Sequence, residues 1–318
     1  MTARGEGARL VMVGVGLVGS ATAFALMEGG LLSEICLVDI DRRKAEGQAM
    51  DLIHGSAFVP PVSIVAGDLS LCERADVIII SAGRNQKPGE TRLDLSRDNA
   101  AIFQDIIPEI DRWAPPEAVI IVVTNPVDVL TYVAARLSKR DPSRVIGSGT
   151  TLDSARFRYL LGKHCGVDPR NVHAYVVGEH GDTEVAAWSL TNIAGARLDE
   201  FCPACPRGCK GTDRLKIEKD VREAAYEIIE RKGATYWAVA LALRRIVQAI
   251  IRDENSVLTV STLMTGQYGI EDVCLSLPCI VNRSGAFRAL ELPLSSPEIE
   301  RLLKSAAVLR DIQRDLGL

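Results

Sequence analysis

The sequence predicts an α/β fold in which a doubly wound parallel sheet is followed by an α+β domain. In the first half, short apolar segments alternate with helical patterns. These segments are continuously apolar, as is typical of parallel strands that are covered on both faces. After about residue 149 the order becomes mixed. Because 318 residues exceed one typical core, we expect two domains, residues 1–149 and residues 150–318.

The individual elements follow from hydrophobic periodicity and turn residues. The strand candidates of the first half are residues 10–15, 35–39, 62–66, 76–80, 118–123 and 144–147. The second half contains helical patterns at residues 152–161, 217–231, 234–251 and 297–316. Its strand-like segments are residues 172–177, 187–193, 257–263 and 273–281, and a polar loop surrounds residues 202–213.

The composition is that of an ordinary globular protein. Hydrophobic residues make up 47% and charged residues 25%, and the net charge is −4, which disfavours nucleic acid or an anionic membrane as the main partner. Residues 10–27 carry no charge and resemble a signal peptide, but their glycines favour a strand, a turn and a helix instead. The eight cysteines, several in apolar segments, fit a reduced cytoplasm better than a disulfide scaffold.

A glycine-rich turn lies between the first strand and the first helix. It fits the pattern G-x-G-x-x-G, and its candidate cofactor-binding residues are Gly14, Gly16, Val18 and Gly19. Asp39 ends the next strand, twenty residues after Gly19, which is the spacing that Rossmann domains use to bind the ribose hydroxyls of a dinucleotide. The Asp39 carboxylate would repel a ribose 2′-phosphate, so NAD is favoured over NADP, although the nearby Arg42 and Arg43 leave NADP open.

Residues 178–182, Gly-Glu-His-Gly-Asp, contain one of only four histidines in the chain. A histidine is readily tuned to exchange a proton near neutral pH, and flanking glycines leave room for a ligand. On its own the pattern is weak evidence, because a histidine beside glycines is more often a structural turn residue.

Further candidate site residues are polar. One follows a strand, at the sheet edge where doubly wound folds bind ligands, and two others share one face of a helix. Asn125 follows the fifth strand and would either point into the crevice or cap the next helix. Asp153 and Arg156 are three residues apart and therefore share a helix face, whereas Arg158 points roughly the opposite way. An Asp/Arg pair of this spacing is usually only a surface ion pair.

Taken together, these clusters resemble the lactate/malate dehydrogenase family. The matching segments occur in family order: Asn-Gln-Lys-Pro-Gly-Glu-Thr-Arg (85–92), Val-Thr-Asn-Pro-Val-Asp (123–128), Leu-Asp-Ser-Ala-Arg-Phe-Arg (152–158), Gly-Glu-His-Gly-Asp (178–182) and Lys-Gly-Ala-Thr (232–235). The resemblance runs from the glycine motif to the terminal helix. It implies an NAD-dependent oxidoreductase that transfers a hydride reversibly between (S)-lactate and NAD+.

The resemblance also implies a role for each site residue. His180 would exchange the hydroxyl proton, Asp153 would orient the imidazole, and Arg156 would bind the substrate carboxylate. Arg92 would close over the substrate and polarise its carbonyl. Asn125 would hydrogen-bond near the carbonyl, and Thr235, which we expect at the start of an apolar helix, would line the pocket.

Gln86 separates the two branches of the family. In the malate branch the matching position is an arginine that pairs with the second carboxylate of oxaloacetate. A neutral Gln86 would leave that carboxylate without a counter-charge, which favours pyruvate and lactate. The resemblance therefore implies the last step of lactic fermentation from glycolysis.

Two basic residues point to a second, regulatory site. In relatives activated by fructose 1,6-bisphosphate, residues matching Arg158 and His173 bind the phosphates across a subunit interface, which would also imply a homotetramer. The alternative is that Arg158 is a solvated helix residue and His173 an ordinary strand residue. Cys202, Cys205 and Cys209 are closely spaced, but we favour loop thiols over a metal site because a fourth ligand is lacking nearby.

Overall fold

The structure is a computed structural model that describes residues 7–84, 92–204 and 211–318. The strands are β1 Arg9–Val13, β2 Glu34–Val38, β3 Ser63–Gly67, β4 Val77–Ile80, β5 Val119–Val122, β6 Val145–Gly147, β7 Val172–His173, β8 Val176–Val177, β9 Val185–Ala186, β10 Asn192–Ile193, β11 Ala196–Arg197, β12 Ser256–Thr265, β13 Glu271–Asn282 and β14 Gly285–Ala289. The helices are α1 Leu17–Glu28, α2 Arg42–His54, α3 Arg92–Trp113, α4 Val127–Leu137, α5 Thr151–Cys165, α6 Leu198–Phe201, α7 Gly211–Lys232, α8 Trp237–Ile251 and α9 Ser296–Asp315.

The first six strands form the predicted parallel sheet, in the order β3-β2-β1-β4-β5-β6. Helices cover both faces, and β1 shows why its sequence is continuously apolar. Leu10 and Met12 pack into the hydrophobic cluster on one face, which also contains residues of α8. Val11 and Val13 pack into the cluster on the other face, with residues of α3 and α4. The doubly wound α/β fold is thus confirmed.

Strands of the second half extend the same sheet. β12 pairs antiparallel with β6, and β13 and β14 follow, so that the sheet contains nine strands in the described residues. The contact is close at Gly149, where a Cβ atom would lie 2.5 Å from both the Ser261 nitrogen and the Ser276 Oγ. Glycine at this position therefore lets the chain turn from β6 into α5 against β12 and β13.

Three predictions for the second half are corrected. Residues 172–177 are not one strand but two, β7 and β8, which belong to different sheets. Residues 187–193 are not one strand, because a 3₁₀ helix, Trp188–Leu190, interrupts them. The Ser189 backbone N–H donates to Glu298 of α9 at 3.0 Å, a contact that the local sequence does not reveal. Thr235 does not begin a helix but lies in the loop before α8.

None of the helices in the described part of the chain is both long and apolar enough to cross a membrane. The uncharged residues 10–27 form most of β1, the glycine turn and most of α1, as the sequence predicts.

Candidate active site

The glycine turn between β1 and α1 lies at the carboxyl edge of the parallel sheet, where doubly wound folds bind dinucleotides. Gly14 has φ +92°, and a Cβ atom there would lie 2.5 Å from the Ala82 nitrogen, so only glycine fits. A Cβ at Gly19 would overlap the Gly14 carbonyl, whereas Gly16 has open space around it. Gly16 provides no side-chain cap for α1, so the first N–H groups of the helix remain available for a pyrophosphate.

Asp39 lies directly beside this turn. Its carboxylate accepts hydrogen bonds from the Val15 nitrogen at 2.8 Å and the Asp41 nitrogen at 3.0 Å. Arg42 is directed along α2, where its Nε donates to Glu46 at 3.0 Å, and does not pair with Asp39. The glycines, the helix terminus and Asp39 therefore fit the pyrophosphate and ribose of NAD.

Three side chains, two from α5 and one from the turn at residues 178–182, form a connected cluster. His180 Nδ1 lies 2.5 Å from Asp153 Oδ2, and Arg156 donates from Nη1 to Asp153 Oδ1 at 2.8 Å. Asp153 is almost fully buried, at 1% exposure, whereas a quarter of the His180 side chain is exposed. The predicted shared face of Asp153 and Arg156 is present, and the carboxylate holds both a proton-exchanging group and a cation.

This contact sets the protonation of the cluster. Burial acts to lower the pKa of His180, but the charge of Asp153 and the hydrogen bond to it outweigh burial and raise the pKa to about 9. Burial acts to raise the pKa of Asp153, but the charges and hydrogen bonds of His180 and Arg156 hold it below its usual value. His180 is therefore an imidazolium at neutral pH, ready to donate a proton.

Asp128 is a site residue to which sequence reasoning gave no role. It lies in the first turn of α4, and its Oδ2 accepts a hydrogen bond from the His180 backbone nitrogen at 2.7 Å. Burial raises the pKa of Asp128 to about 6, so it is ionised at neutral pH and adds to the raised pKa of His180. The quoted family segment contained Asp128, but nothing local indicated its distant partner.

The turn that carries His180 is anchored from β13 and α9. The Gly178 N–H donates to the Ser276 carbonyl at 2.8 Å, and the Ser276 N–H donates back at 2.9 Å. The Glu179 N–H donates to Ser305 Oγ of α9 at 2.8 Å, and Ser305 Oγ lies 3.0 Å from Thr183 Oγ1. The position of His180 thus depends on residues far away in the sequence.

The remaining predicted site residues are placed only in part. Asn125 follows β5 and is exposed, and α4 is not capped by its side chain, since Pro126 occupies the N-cap position. Thr235 is half-buried in the loop before α8. Gln86 lies outside the described residues, and of Arg92 only the backbone is described, as the first residue of α3.

Arg158 lies on α5, and His173 lies on β7, which α5 contacts. Arg158 donates from Nε to the Ala174 carbonyl at 3.0 Å, and its guanidinium lies 5.5 Å from the Tyr175 ring. It is half-buried, and His173 next to Ala174 is exposed on β7. Arg158 is therefore not simply a solvated helix residue, and it lies away from the Arg156 face, as predicted.

In the described part of the chain, no three His, Cys, Asp or Glu residues lie together as a metal site would require. Cys202 begins the 3₁₀ turn Cys202–Ala204, which follows α6. Cys205 and Cys209 fall outside the described residues, so the expectation of loop thiols stays a prediction.

The chain is similar to known dehydrogenases over almost its whole length. The family model of the lactate/malate dehydrogenase NAD binding domain matches residues 8–147, and that of the alpha/beta C-terminal domain matches residues 150–316. L-lactate dehydrogenase 1 of Clostridium acetobutylicum is 54% identical over 303 residues, which cover 95% of this chain and 96% of that protein. L-lactate dehydrogenase of Thermoanaerobacterium saccharolyticum is 52% identical over 310 residues, covering 98% and 99%.

The chain is also similar in structure to solved lactate dehydrogenases. A lactate dehydrogenase from a Medee basin deep-sea metagenome library superposes with a TM-score of 0.95 at 43% identity, covering 98% of this chain and 100% of that chain. The minor L-lactate dehydrogenase of Enterococcus mundtii, solved in a ligands-bound form, gives a TM-score of 0.93 at 40% identity, covering 96% and 98%.

Proposed function

The chain belongs to the lactate/malate dehydrogenase family, and we propose that His180, Asp153 and Arg156 carry out its chemistry. It is an NAD-dependent L-lactate dehydrogenase that interconverts (S)-lactate and pyruvate. The observation that supports these residues most strongly is the hydrogen-bonded cluster itself, in which one buried carboxylate holds both an imidazolium and a guanidinium. A proton donor and an anion-binding group thus lie side by side.

In pyruvate reduction, His180 donates its proton to the carbonyl oxygen, and in lactate oxidation the neutral imidazole takes the hydroxyl proton. Asp153 fixes the tautomer through Nδ1, so that Nε2 is the nitrogen that exchanges the proton with the substrate. Arg156 binds the substrate carboxylate with two parallel hydrogen bonds. Gly14, Gly16, Val18, Gly19 and Asp39 would hold NAD+, which would supply the acceptor for the hydride that leaves C2 of lactate.

The other site residues complete the pocket. Arg92, the first residue of α3, closes over the substrate and polarises the carbonyl in a site from which water is expelled. Asn125 donates its side-chain amide near the carbonyl and the nicotinamide, and Thr235 lines the pocket. The exposure of Asn125 at the end of β5 and the loop position of Thr235 support these roles.

The test of this function is NADH oxidation by the purified protein with pyruvate and with oxaloacetate. We expect pyruvate to be reduced with the higher kcat/KM. Faster turnover of oxaloacetate would overturn the assignment of the substrate.

Gln86→Arg should shift the preference toward oxaloacetate. The new guanidinium would give the second carboxylate a counter-charge, while pyruvate would leave the buried cation unpaired. We expect the ratio of kcat/KM for oxaloacetate to that for pyruvate to rise at least about a hundredfold, since a desolvated charge pair is worth several kcal/mol. Gln104→Arg, at an exposed position of α3, is the matched control, and an unchanged ratio in Gln86→Arg would contradict the role of Gln86.

Arg158 and His173 are further proposed to bind the phosphates of fructose 1,6-bisphosphate across an interface of a homotetramer. Arg158 makes no ion pair with a carboxylate of the described residues, and burial lowers the pKa of its guanidinium. A half-buried cation that lacks a carboxylate partner among the described residues is stabilised by an arriving phosphate. Twofold symmetry would bring two such pairs together, one from each subunit.

Fructose 1,6-bisphosphate should therefore lower the KM for pyruvate or favour the tetramer. The double variant Arg158→Gln/His173→Gln should lose this response, because both phosphate-binding groups are removed, and Arg170→Gln, at an exposed surface pair, should keep it. Steady-state kinetics and sedimentation velocity with and without the bisphosphate measure the effect. If neither the KM nor the assembly state responds in the unaltered protein, the site does not exist.

The domain division and the setting remain proposals as well. We place the NAD-binding domain at residues 1–149 and the substrate domain at residues 150–318, a boundary that falls between β6 and α5. The reaction is the last step of lactic fermentation from glycolysis in the cytoplasm.

A further inference from the structure

Three consecutive backbone N–H groups of the turn at residues 178–182 are held by three different elements. The first two donate to the Ser276 carbonyl of β13 and to Ser305 Oγ of α9. The third, the His180 N–H, donates to Asp128 Oδ2 of α4 at 2.7 Å. The turn, β13 and α9 lie in the part of the chain that matches the C-terminal domain, whereas α4 lies in the part that matches the NAD binding domain. Asp128 therefore joins the proton-exchanging residue to the half that binds the cofactor.

The Asp128 side chain does more than an acid in the first turn of a helix usually does. Such an acid commonly stabilises the N-terminal N–H groups of its own helix, but Asp128 Oδ2 bonds to a residue outside α4. Its Oδ1 makes no hydrogen bond in the part of the chain that the structure describes. Burial raises the pKa of this carboxyl, and the nearby Ser261 hydroxyl acts to lower it. Because Asp128 is only 2% exposed, its carboxyl is costly to bury, and the hydrogen bond that it does make supports His180.

The segment that carries Asp128 also carries Asn125, a second residue of the proposed mechanism. Asn125 lies three residues earlier, between β5 and α4. Its carbonyl accepts a hydrogen bond at 2.9 Å from Nδ2 of the fully buried Asn99 on α3, which fixes the segment from the other side. A shift of the His180 turn relative to this segment would separate the imidazole from the Asn125 amide, although both have to reach one carbonyl oxygen.

We propose that Asp128 is a positioning residue, which holds the His180 turn against the Asn125 segment so that the imidazole and the Asn125 amide meet at the same substrate carbonyl. This inference rests on the roles proposed above for His180 and Asn125. Asp128 acts through the His180 backbone and not on the substrate itself. What it supplies is a hydrogen-bond acceptor at a fixed place, and a neutral acceptor of the same shape supplies this as well.

Asp128→Ala and Asp128→Asn separate the acceptor from the charge. Alanine leaves the His180 N–H without a partner, whereas asparagine conserves the acceptor and places its NH₂ group near the Ser261 hydroxyl, which can accept from it. The single-turnover rate of NADH oxidation by pyruvate should fall about a hundredfold in Asp128→Ala, the scale of a displacement of about 1 Å, and less than about fivefold in Asp128→Asn. At pH 7, well below the His180 pKa of about 9, the lost charge does not limit the supply of protons. Thr131→Val removes a buried hydroxyl one turn further along α4 and should behave like the unaltered enzyme.

Two further measurements distinguish positioning from a general loss of structure. The KM for pyruvate should change less than about fivefold in Asp128→Ala, because Arg156 binds the carboxylate, so that the loss falls on the rate. Amide hydrogen exchange of residues 178–182 in the cofactor-free protein should be at least about tenfold faster in Asp128→Ala and unchanged in Asp128→Asn. If alanine prevents folding, Asp128→Leu takes its place, since leucine fills a similar volume without an acceptor.

The outcomes that would overturn the proposal are specific. One is a rate in the variant without an acceptor that stays within about tenfold of the unaltered enzyme. Another is a loss in Asp128→Asn as large as in Asp128→Ala, which would assign the effect to the charge. Unchanged hydrogen exchange at residues 178–182 in Asp128→Ala would also overturn it. Pyruvate reduction by the unaltered enzyme tests the proposed function separately, and the exchange rates test the contact whatever the substrate is.

Discussion

Asp153→Asn should lower kcat/KM for pyruvate reduction by about a thousandfold, the scale expected when an orienting carboxylate is removed from a catalytic histidine. Asp153 Oδ2 lies 2.5 Å from His180 Nδ1 and stabilises the imidazolium. The amide of asparagine carries no charge, and its NH₂ group would favour the tautomer with the proton on Nε2. The same substitution weakens the anchor of Arg156, so both proton transfer and substrate binding suffer.

The pH profile identifies the cause of this loss. Pyruvate reduction needs the protonated imidazole, which the raised pKa of about 9 maintains at neutral pH. Without the Asp153 charge, His180 loses its proton at lower pH, so the alkaline fall in kcat/KM should move down by at least about one pH unit. Lactate oxidation needs the neutral imidazole, and its acidic limb should therefore move in the same direction.

A matched control is available in the same half of the chain. The Asp168 carboxylate pairs with Arg170 at 2.7 Å. Asp168 is exposed and makes no hydrogen bond to His180 among the described residues. Asp168→Asn removes an equivalent Asp/Arg pair and should leave both kcat/KM and the pH profile unchanged. An alkaline limb that stays in place in Asp153→Asn would show that the His180–Asp153 pair does not control it.

Helical periodicity and motif spacing were sufficient for several features of the site. The shared face of Asp153 and Arg156 follows from a separation of three residues on a helix, and the structure shows their contact. The turn at Gly14 and the position of Asp39 follow from a local β-α-β unit. The pairing of His180 with Asp153, by contrast, came only from the family resemblance, since no local pattern connects residues that far apart.

Long-range contacts account for what was missed. Asp128 reaches the His180 backbone, and Ser305 reaches the same turn from α9, and both contacts depend on how α4 and α9 pack. The pairing of β12 with β6 likewise joins elements that are distant in the sequence. Hydrophobic patterns specify which face of an element is buried but not which element covers it.

Arg156→Lys should raise the KM for pyruvate by roughly a hundredfold, about 3 kcal/mol, since two parallel charge-assisted hydrogen bonds become one. Lysine conserves the charge, but its ammonium is a point donor that cannot match the two oxygens of a carboxylate. The guanidinium also donates to Asp153 Oδ1 at 2.8 Å. A shorter, single-headed side chain cannot maintain this contact and bind substrate at the same time.

The two variants should differ in their pH profiles. Arg156→Lys leaves the His180–Asp153 pair and a positive charge in place, so its alkaline limb should stay near that of the unaltered enzyme while the KM rises. Arg170→Lys, at the exposed pair with Asp168, controls for the substitution itself and should change neither. Asp153 contacts both His180 and Arg156. A shift of the alkaline limb of the pH profile in Arg156→Lys would therefore mean that Arg156 acts mainly through Asp153. A KM that stayed constant would remove Arg156 from the substrate site altogether.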